Sequence, residues 1–226
     1  MAEAEATTPR ARYRARVREE IKEHAWEQIA TAGASALSLN AIAKEMGMSG
    51  PALYRYFANR DELITALIRD AYRGLADAFA ARAEGGTDPA GLADTLRAWA
   101  LESPHRYLLV YGTPVPGYEA PADTVRITSE MMSVLLEACA GAETPADSGA
   151  ADVPSTDVPS FDAYLADHRS WAPSSEAPPS ALRRALAFWT RLHGVLSLEL
   201  AGHFTGMGFD PAVLYAAEAR ALTEGR

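Results

Sequence analysis

Three small residues, Ser49, Gly50 and Ala52, stand around Pro51, and Tyr54, Arg55 and Tyr56 come just after them, past Leu53. Small side chains at the start of a helix let a backbone come close to base-pair edges, and Tyr and Arg just behind them can reach bases or phosphates. Elsewhere the reactive residue types are sparse. His193 and His203 are ten positions apart, which on a helix is about 15 Å along the axis and too far to share a metal. Glu199 and His203 could co-ligate an ion, but the sequence offers no evident third ligand, so no metal and no cofactor are expected. No serine lies in a G-x-S-x-G setting and there is no P-loop, so the chain does not read as an enzyme. Cys139, the one cysteine, leaves no internal disulfide and lies among Leu135, Leu136 and Ala138 as a small hydrophobe would.

The segment 37–63 supplies the elements that would position the first group. Ser38 is a good helix cap, and Ile42, Ala43 and Met46 fall on one face of the helix it starts. Gly47 ends that helix. Ser49 caps a second helix running to Phe57, with Pro51 just inside it. Leu53 and Phe57, four apart, turn inward and leave Tyr54, Arg55 and Tyr56 facing out or flanking. Asn59 then caps a third helix, with Glu62 at the acidic position of a capping box. Two short helices around a glycine turn make a helix-turn-helix, whose second member can enter the major groove of DNA.

The residues Ser38, Leu39, Ile42, Ala43, Gly47, Ser49, Leu53, Tyr54, Phe57, Asn59, Arg60 and Leu63 together follow a typed pattern. In that pattern this stretch resembles the TetR family of transcriptional repressors, firmly over about residues 15–75. The resemblance implies base-facing positions at Asn40, Gly50, Pro51, Ala52 and Tyr54. It puts Ser38, Leu39, Lys44, Tyr56 and Arg60 at or near phosphates, Leu39 through its backbone alone. Where some relatives carry a longer polar side chain, this sequence has Gly50. A second match lies far along the chain: Trp189, His193 and Gly194 resemble the Trp-x-x-x-His-Gly signature of a C-terminal regulatory domain in one group of TetR-like regulators.

Charge is unevenly spread. Net charge is −9, yet Pro9 to Arg60 holds nine Lys/Arg against five Asp/Glu, or +4, leaving −13 for the remainder. A basic head on an acidic body suits a regulator in which only the head approaches phosphates. Arg10, Arg12, Arg14, Arg16 and Arg18 alternate. They read either as a phosphate- or minor-groove-contacting arm or as the solvated start of a first helix. The expected layout is a disordered basic arm over 1–12 and a helix from about Arg14 to Thr31 with Val17, Ile21, Ala25 and Ile29 buried and Trp26 in the core. No apolar run reaches bilayer length and the N-terminus lacks an apolar signal core, so a cytoplasmic protein without membrane association is expected.

Periodicity then predicts an all-α chain of about nine helices, in which the resemblance implies a three-helix helix-turn-helix head and a larger helical ligand-binding and dimerisation domain. The head with its linking helix, whose stripe is Leu63, Ile64, Leu67, Ile68, Ala71, Leu75 and Phe79, spans 13–84. The second domain spans 87–226, after a Gly-rich break, and contains a loop at 113–117. An irregular insert covers about 141–179, with a short helix near Phe161 to His168. Trp99, Tyr107, Tyr111, Met131, Leu135, Phe188, Trp189 and His193 as a set are candidates for an apolar or aromatic effector, although any one of them taken alone reads first as core. In the resembling family the last two helices pair with their copies in a homodimer, which would set two recognition helices on one double-stranded operator; an internal hairpin is the plainer alternative. An all-α small-molecule-binding or adaptor protein with an idle helix-turn-helix is the competing function.

Overall fold

The computed structural model describes residues 8–112, 121–141, 160–173 and 176–224. Those residues form α1 (Pro9–Ala32), a 3-10 turn (Ala34–Ala36), α2 (Leu39–Glu45), α3 (Gly50–Leu53) and α4 (Arg60–Glu84). They continue with α5 (Pro89–Glu102), α6 (Pro104–Tyr111), α7 (Ala122–Gly141), α8 (Phe161–Asp167), α9 (Pro179–Leu200) and α10 (Pro211–Thr223). No strand occurs among the described residues, so the all-α class stands. The insert helix is α8; the remainder of the insert at 142–159 and 174–175, the loop at 113–117 and the arm at 1–7 lie outside the described residues.

The chain divides into two compact units, and the division falls between Ala71 and Tyr72. Of the described residues, the first takes 8–71 and 105–112 and the second takes the rest. This differs from the layout read off the Gly85–Gly86 break. A glycine break ends a helix, whereas a compact unit is decided by where side chains pack.

In the first unit α1 begins earlier than the sequence suggested, because Thr8 caps it, accepting from the Ala11 N–H at 3.2 Å, and Pro9 fills the first turn. Arg10 and Arg12 are therefore helical rather than part of an arm. Its buried positions are Val17, Ile21, Ala25 and Ile29, an unbroken series of four-residue steps. Trp26 is not fully enclosed; its ring meets that of His105 at 5.6 Å, and the Arg106 guanidinium sits 5.6 Å from its centre. Lys22 of α1 reaches the Asp70 carboxylate of α4 at 2.5 Å.

In the second unit α9 is the central helix, packed by α5, α7, α8 and α10. Leu182, Ala185, Phe188, Leu192, Val195 and Leu196 form its buried stripe. One polar network ties three helices together. Both Arg97 guanidinium nitrogens donate to Glu199, at 2.6 and 2.8 Å, with both side chains more than four-fifths covered. The same guanidinium lies 5.0 Å from the Tyr215 ring centre, and the Tyr215 hydroxyl donates to the Ala93 carbonyl at 2.7 Å. Glu199 is thus the partner of an arginine. A bidentate pair with this little solvent is costly to break singly, because the survivor is left as an uncompensated charge. Arg97→Ala is expected to lower stability by about 3 kcal/mol, while Arg97→Met with Glu199→Leu recovers most of that loss. Urea unfolding checks both, through a midpoint that falls while the slope stays constant.

Candidate nucleic-acid interface

Seven residues make α2, started by Ser38, whose hydroxyl accepts from the Ala41 N–H at 3.3 Å while its own N–H donates to the Gln28 side chain at 3.0 Å. Gly47 ends the helix with φ +64°, a left-handed conformation that a side chain would strain. The Met48 N–H reaches back to the Ala43 carbonyl at 2.8 Å and the Gly47 N–H to Lys44 at 3.2 Å, which together make a Schellman turn. That turn delivers the chain directly into α3.

The recognition segment is shorter than expected. Regular α-helix covers Gly50 to Leu53 only, and the Tyr56 N–H then bonds the Leu53 carbonyl three residues back at 2.8 Å, tightening the last turn before Phe57. Ser49 stands at the cap, but its hydroxyl accepts no bond from the helix. Leu53 and Phe57 are fully buried. Tyr54, 45% exposed, faces solvent, as do Arg55, Ser49 and Pro51; Gly50, Ala52 and Tyr56 are half-buried. Asn40 and Lys44 of α2 are exposed, Ser38 is half-buried, and Leu39 is buried and has only its backbone to offer. A Cβ at Gly50 would meet Asn40 Oδ1 at 3.5 Å, an ordinary contact, so these two positions lie side by side.

Asn59 caps α4 by accepting from the Glu62 N–H at 2.8 Å, and Glu62 accepts from the Ala58 N–H at 2.7 Å. This is a capping box displaced by one residue. Arg60 is half-buried and donates to the Ala34 carbonyl at 2.6 Å, so part of its donor set is directed into the head.

Two residues that the sequence left between a basic arm and the solvated start of the first helix lie against this segment. Arg14 donates to the Arg55 carbonyl at 3.0 Å and Arg18 to the Tyr56 carbonyl. Their guanidinium groups also lie 5.7 Å from the Tyr56 ring centre and 4.0 Å from that of Phe57. Their four-residue spacing on a helix, once Thr8-Pro9 is taken as its start, was the available signal.

An open groove of about 400 Å³ runs along the same unit, lined by Glu27, Gln28, Thr31, Ala32, Ala36, Ser38, Ala41 and Glu45. His24 stands 3.3 Å from Glu27 and 3.5 Å from Glu45, joining α1 to α2 beside it. Its lining residues include no aromatic ring, unlike the set suggested by sequence for an effector. Of that set, Tyr107 and Tyr111 are in the first unit, with ring centres 5.2 Å apart. Trp99, Met131, Leu135 and Phe188 are buried in the second unit, with Trp189 and His193 half-buried there and their rings 4.3 Å apart.

A short helix presenting Tyr54 and Arg55 outward from a glycine turn is the arrangement of a DNA-reading head. Comparison with known proteins agrees. Residues 21–67 match the family model described as bacterial regulatory proteins, tetR family, and 90–222 match a Tetracyclin repressor-like C-terminal domain. The chain belongs to the tetR family. HTH-type transcriptional regulators of Mycobacterium bovis and Mycobacterium tuberculosis are 33% identical to it over 218 residues, covering 92% of this chain and 92% of each relative. The crystal structure of the regulatory protein SCO4313 is 63% identical, with a TM-score of 0.83 over 95% of this chain and 98% of that one. A TetR/AcrR-family regulator from Thermobifida fusca shares the fold at 17% identity, with a TM-score of 0.57 over 93% of this chain and 98% of that one.

This tetR-family protein is a DNA-binding transcriptional regulator, not an enzyme. Trp189, His193 and Gly194 lie within its matched C-terminal region. No helix among the described residues is long and apolar enough to cross a membrane. Cys139 is buried, and that burial pushes its thiol up to about 11, which keeps it protonated and unreactive at neutral pH. Burial acts oppositely on His193, lowering it from 6.5 to about 4. Above pH 6.5 the imidazole is neutral whether the chain is folded or not, and it adds no pH dependence. Below that, only the unfolded chain takes up the proton, so stability falls with pH until about 4, where the folded site protonates as well. His193→Gln should therefore flatten the loss of denaturation midpoint between pH 6.5 and 4, an effect of roughly 3 kcal/mol at most. A variant curve parallel to the parent's would show that His193 does not set this slope.

Proposed function

We propose that this tetR-family regulator is a repressor that binds a palindromic operator as a homodimer and leaves it when a small molecule binds the second unit. The observation that carries the reading is the outward Tyr54 and Arg55 on a segment anchored by buried Leu53 and Phe57. Asn40, Gly50, Pro51, Ala52 and Tyr54 face bases in this reading. Ser38, the Leu39 backbone, Lys44, Ser49, Arg55, Tyr56 and Arg60 lie at or near phosphates. With glycine at position 50, base discrimination falls to its neighbours, Tyr54 and Asn40 foremost.

Dimerisation uses α9 and α10. Leu198, Val213, Met207 and Phe209 are exposed apolar side chains on or between those helices, and an apolar surface of this kind is covered most simply by its own copy. The effector is apolar or aromatic and is drawn to the region of Trp99, Met131, Leu135, Phe188, Trp189 and His193 in the second unit. Effector binding shifts α4, whose single helix contributes to both units, and so favours a head spacing that does not fit DNA; the shift is limited by the effector's differential affinity for the two states. The protein works in the cytoplasm, where its operator is.

A gel shift against the protein's own upstream intergenic DNA at stated salt tests the core of this reading. Tyr54→Ala should weaken binding by about 1–3 kcal/mol and relax preference at one base position, with fold and dimer unchanged. Lys44→Ala should weaken all sequences alike and reduce the salt slope by about one ion per head. For the assembly, Val213→Asp in α10 should convert a dimer to monomers in sedimentation velocity; a variant that sediments as the parent does would move the interface elsewhere.

A further inference from the structure

We propose that Arg14 and Arg18 of α1 are positioning residues for operator binding, holding the last turn of the recognition segment by its carbonyls rather than meeting phosphates. The inference rests on the reading that α3 enters the major groove. A regular helix of four residues, Gly50–Leu53, is far below the length at which a helix is stable alone. Its C-terminal turn also exposes carbonyl groups that no later N–H of the same helix can satisfy. At this end two cations arrive from another helix: Arg14 donates to the Arg55 carbonyl at 3.0 Å, and Arg18 donates to the Tyr56 carbonyl. Cations at a helix C-terminus are favoured by its dipole as well.

The geometry is directed inward. The Arg18 guanidinium covers the buried Phe57 ring at 4.0 Å and lies 3.8 Å from the Glu62 carboxylate, and Glu62 in turn accepts from the Ala58 N–H at 2.7 Å. Arg18 is half-buried, so it faces the head's own backbone and an acid. Arg14 is more exposed and lies 5.7 Å from the Tyr56 ring centre. Tyr54 and Arg55, one residue ahead of these fixed carbonyls, inherit their direction from the hold.

Two measurements on the full-length protein decide the matter. The first needs no DNA: amide hydrogen exchange over residues 54–58 should speed up at least fivefold in Arg18→Ala and less in Arg14→Ala. Unchanged protection overturns the proposal. The second uses a duplex selected from a random-sequence pool by the parent protein, with binding followed by anisotropy at several NaCl concentrations. Arg18→Ala should bind at least tenfold more weakly while keeping the parent's slope of log affinity against log salt. A slope reduced by about 0.9 per head would mark a phosphate contact and sink the idea. Tyr54→Ala on the same duplex separates this from the underlying reading. If Tyr54→Ala binds as the parent does, the major-groove assignment fails, whatever the exchange data say about the clamp. Should Arg18→Ala unfold, Arg14→Ala carries both measurements, with the same signs expected and the same results overturning it.

Discussion

The structure depends on keeping a single turn of helix in place. Gly50 to Leu53 is too short to persist through its own hydrogen bonds, so its position is a tertiary property. Leu53 and Phe57 anchor it by complete burial, at about 1.5–3 kcal/mol each. The Schellman turn at Gly47 fixes the direction of entry, and the Asn59 and Glu62 bonds fix the exit. Between those two ends little freedom is left for the residues that face outward. Such pre-organisation matters for recognition, because ordering a loop at the moment of binding would subtract from every base contact.

The same constraint explains the design of α1. One face of this long helix supplies the apolar stripe from Val17 to Ile29, an ordinary packing role. Its first turns supply Arg14 and Arg18, which reach the recognition turn's carbonyls, and its middle supplies Lys22, which reaches Asp70 of α4. A helix that packs along one face and hydrogen-bonds from an adjacent face holds its neighbours in register as well as in contact. Burial alone is non-directional and could not set that register.

Much of this was legible in the sequence, for a physical reason. Helical periodicity depends on local geometry, so the stripes of α1 and α4 and the inward pair Leu53 and Phe57 could be read directly. Glycine at a left-handed turn and Asn or Ser at a cap are equally local. The start of α1 was legible too, in Thr8-Pro9, but the alternating arginines drew the reading toward an extended arm. The true length of α3 was not, because the tightening at Tyr56 answers to packing rather than to propensity. Nor were the arginine-to-carbonyl bonds, which join residues 41 and 38 apart in sequence through backbone acceptors that every residue possesses. The effector candidates illustrate a further limit: a buried Phe188 or Leu135 has the same residue type and spacing whether it seals a core or lines a pocket.

Charge in the head has to be read at two ranges. The +4 balance from Pro9 to Arg60 describes the field felt at a distance, and a guanidinium bonded to a neutral carbonyl keeps its charge and still contributes to that field. Close contact draws on a different inventory, that of hydrogen-bond donors still directed outward. Arg14, Arg18 and Arg60 each direct a donor to a backbone carbonyl of their own head. Lys44 and Arg55 are both exposed, and on the proposed reading they would offer more to a phosphate than a plain count of arginines suggests. On that reading, steering and grip draw on overlapping but unequal sets of residues. An acidic remainder of −13 is compatible with both, since neither requires more than one end of the chain to approach the duplex.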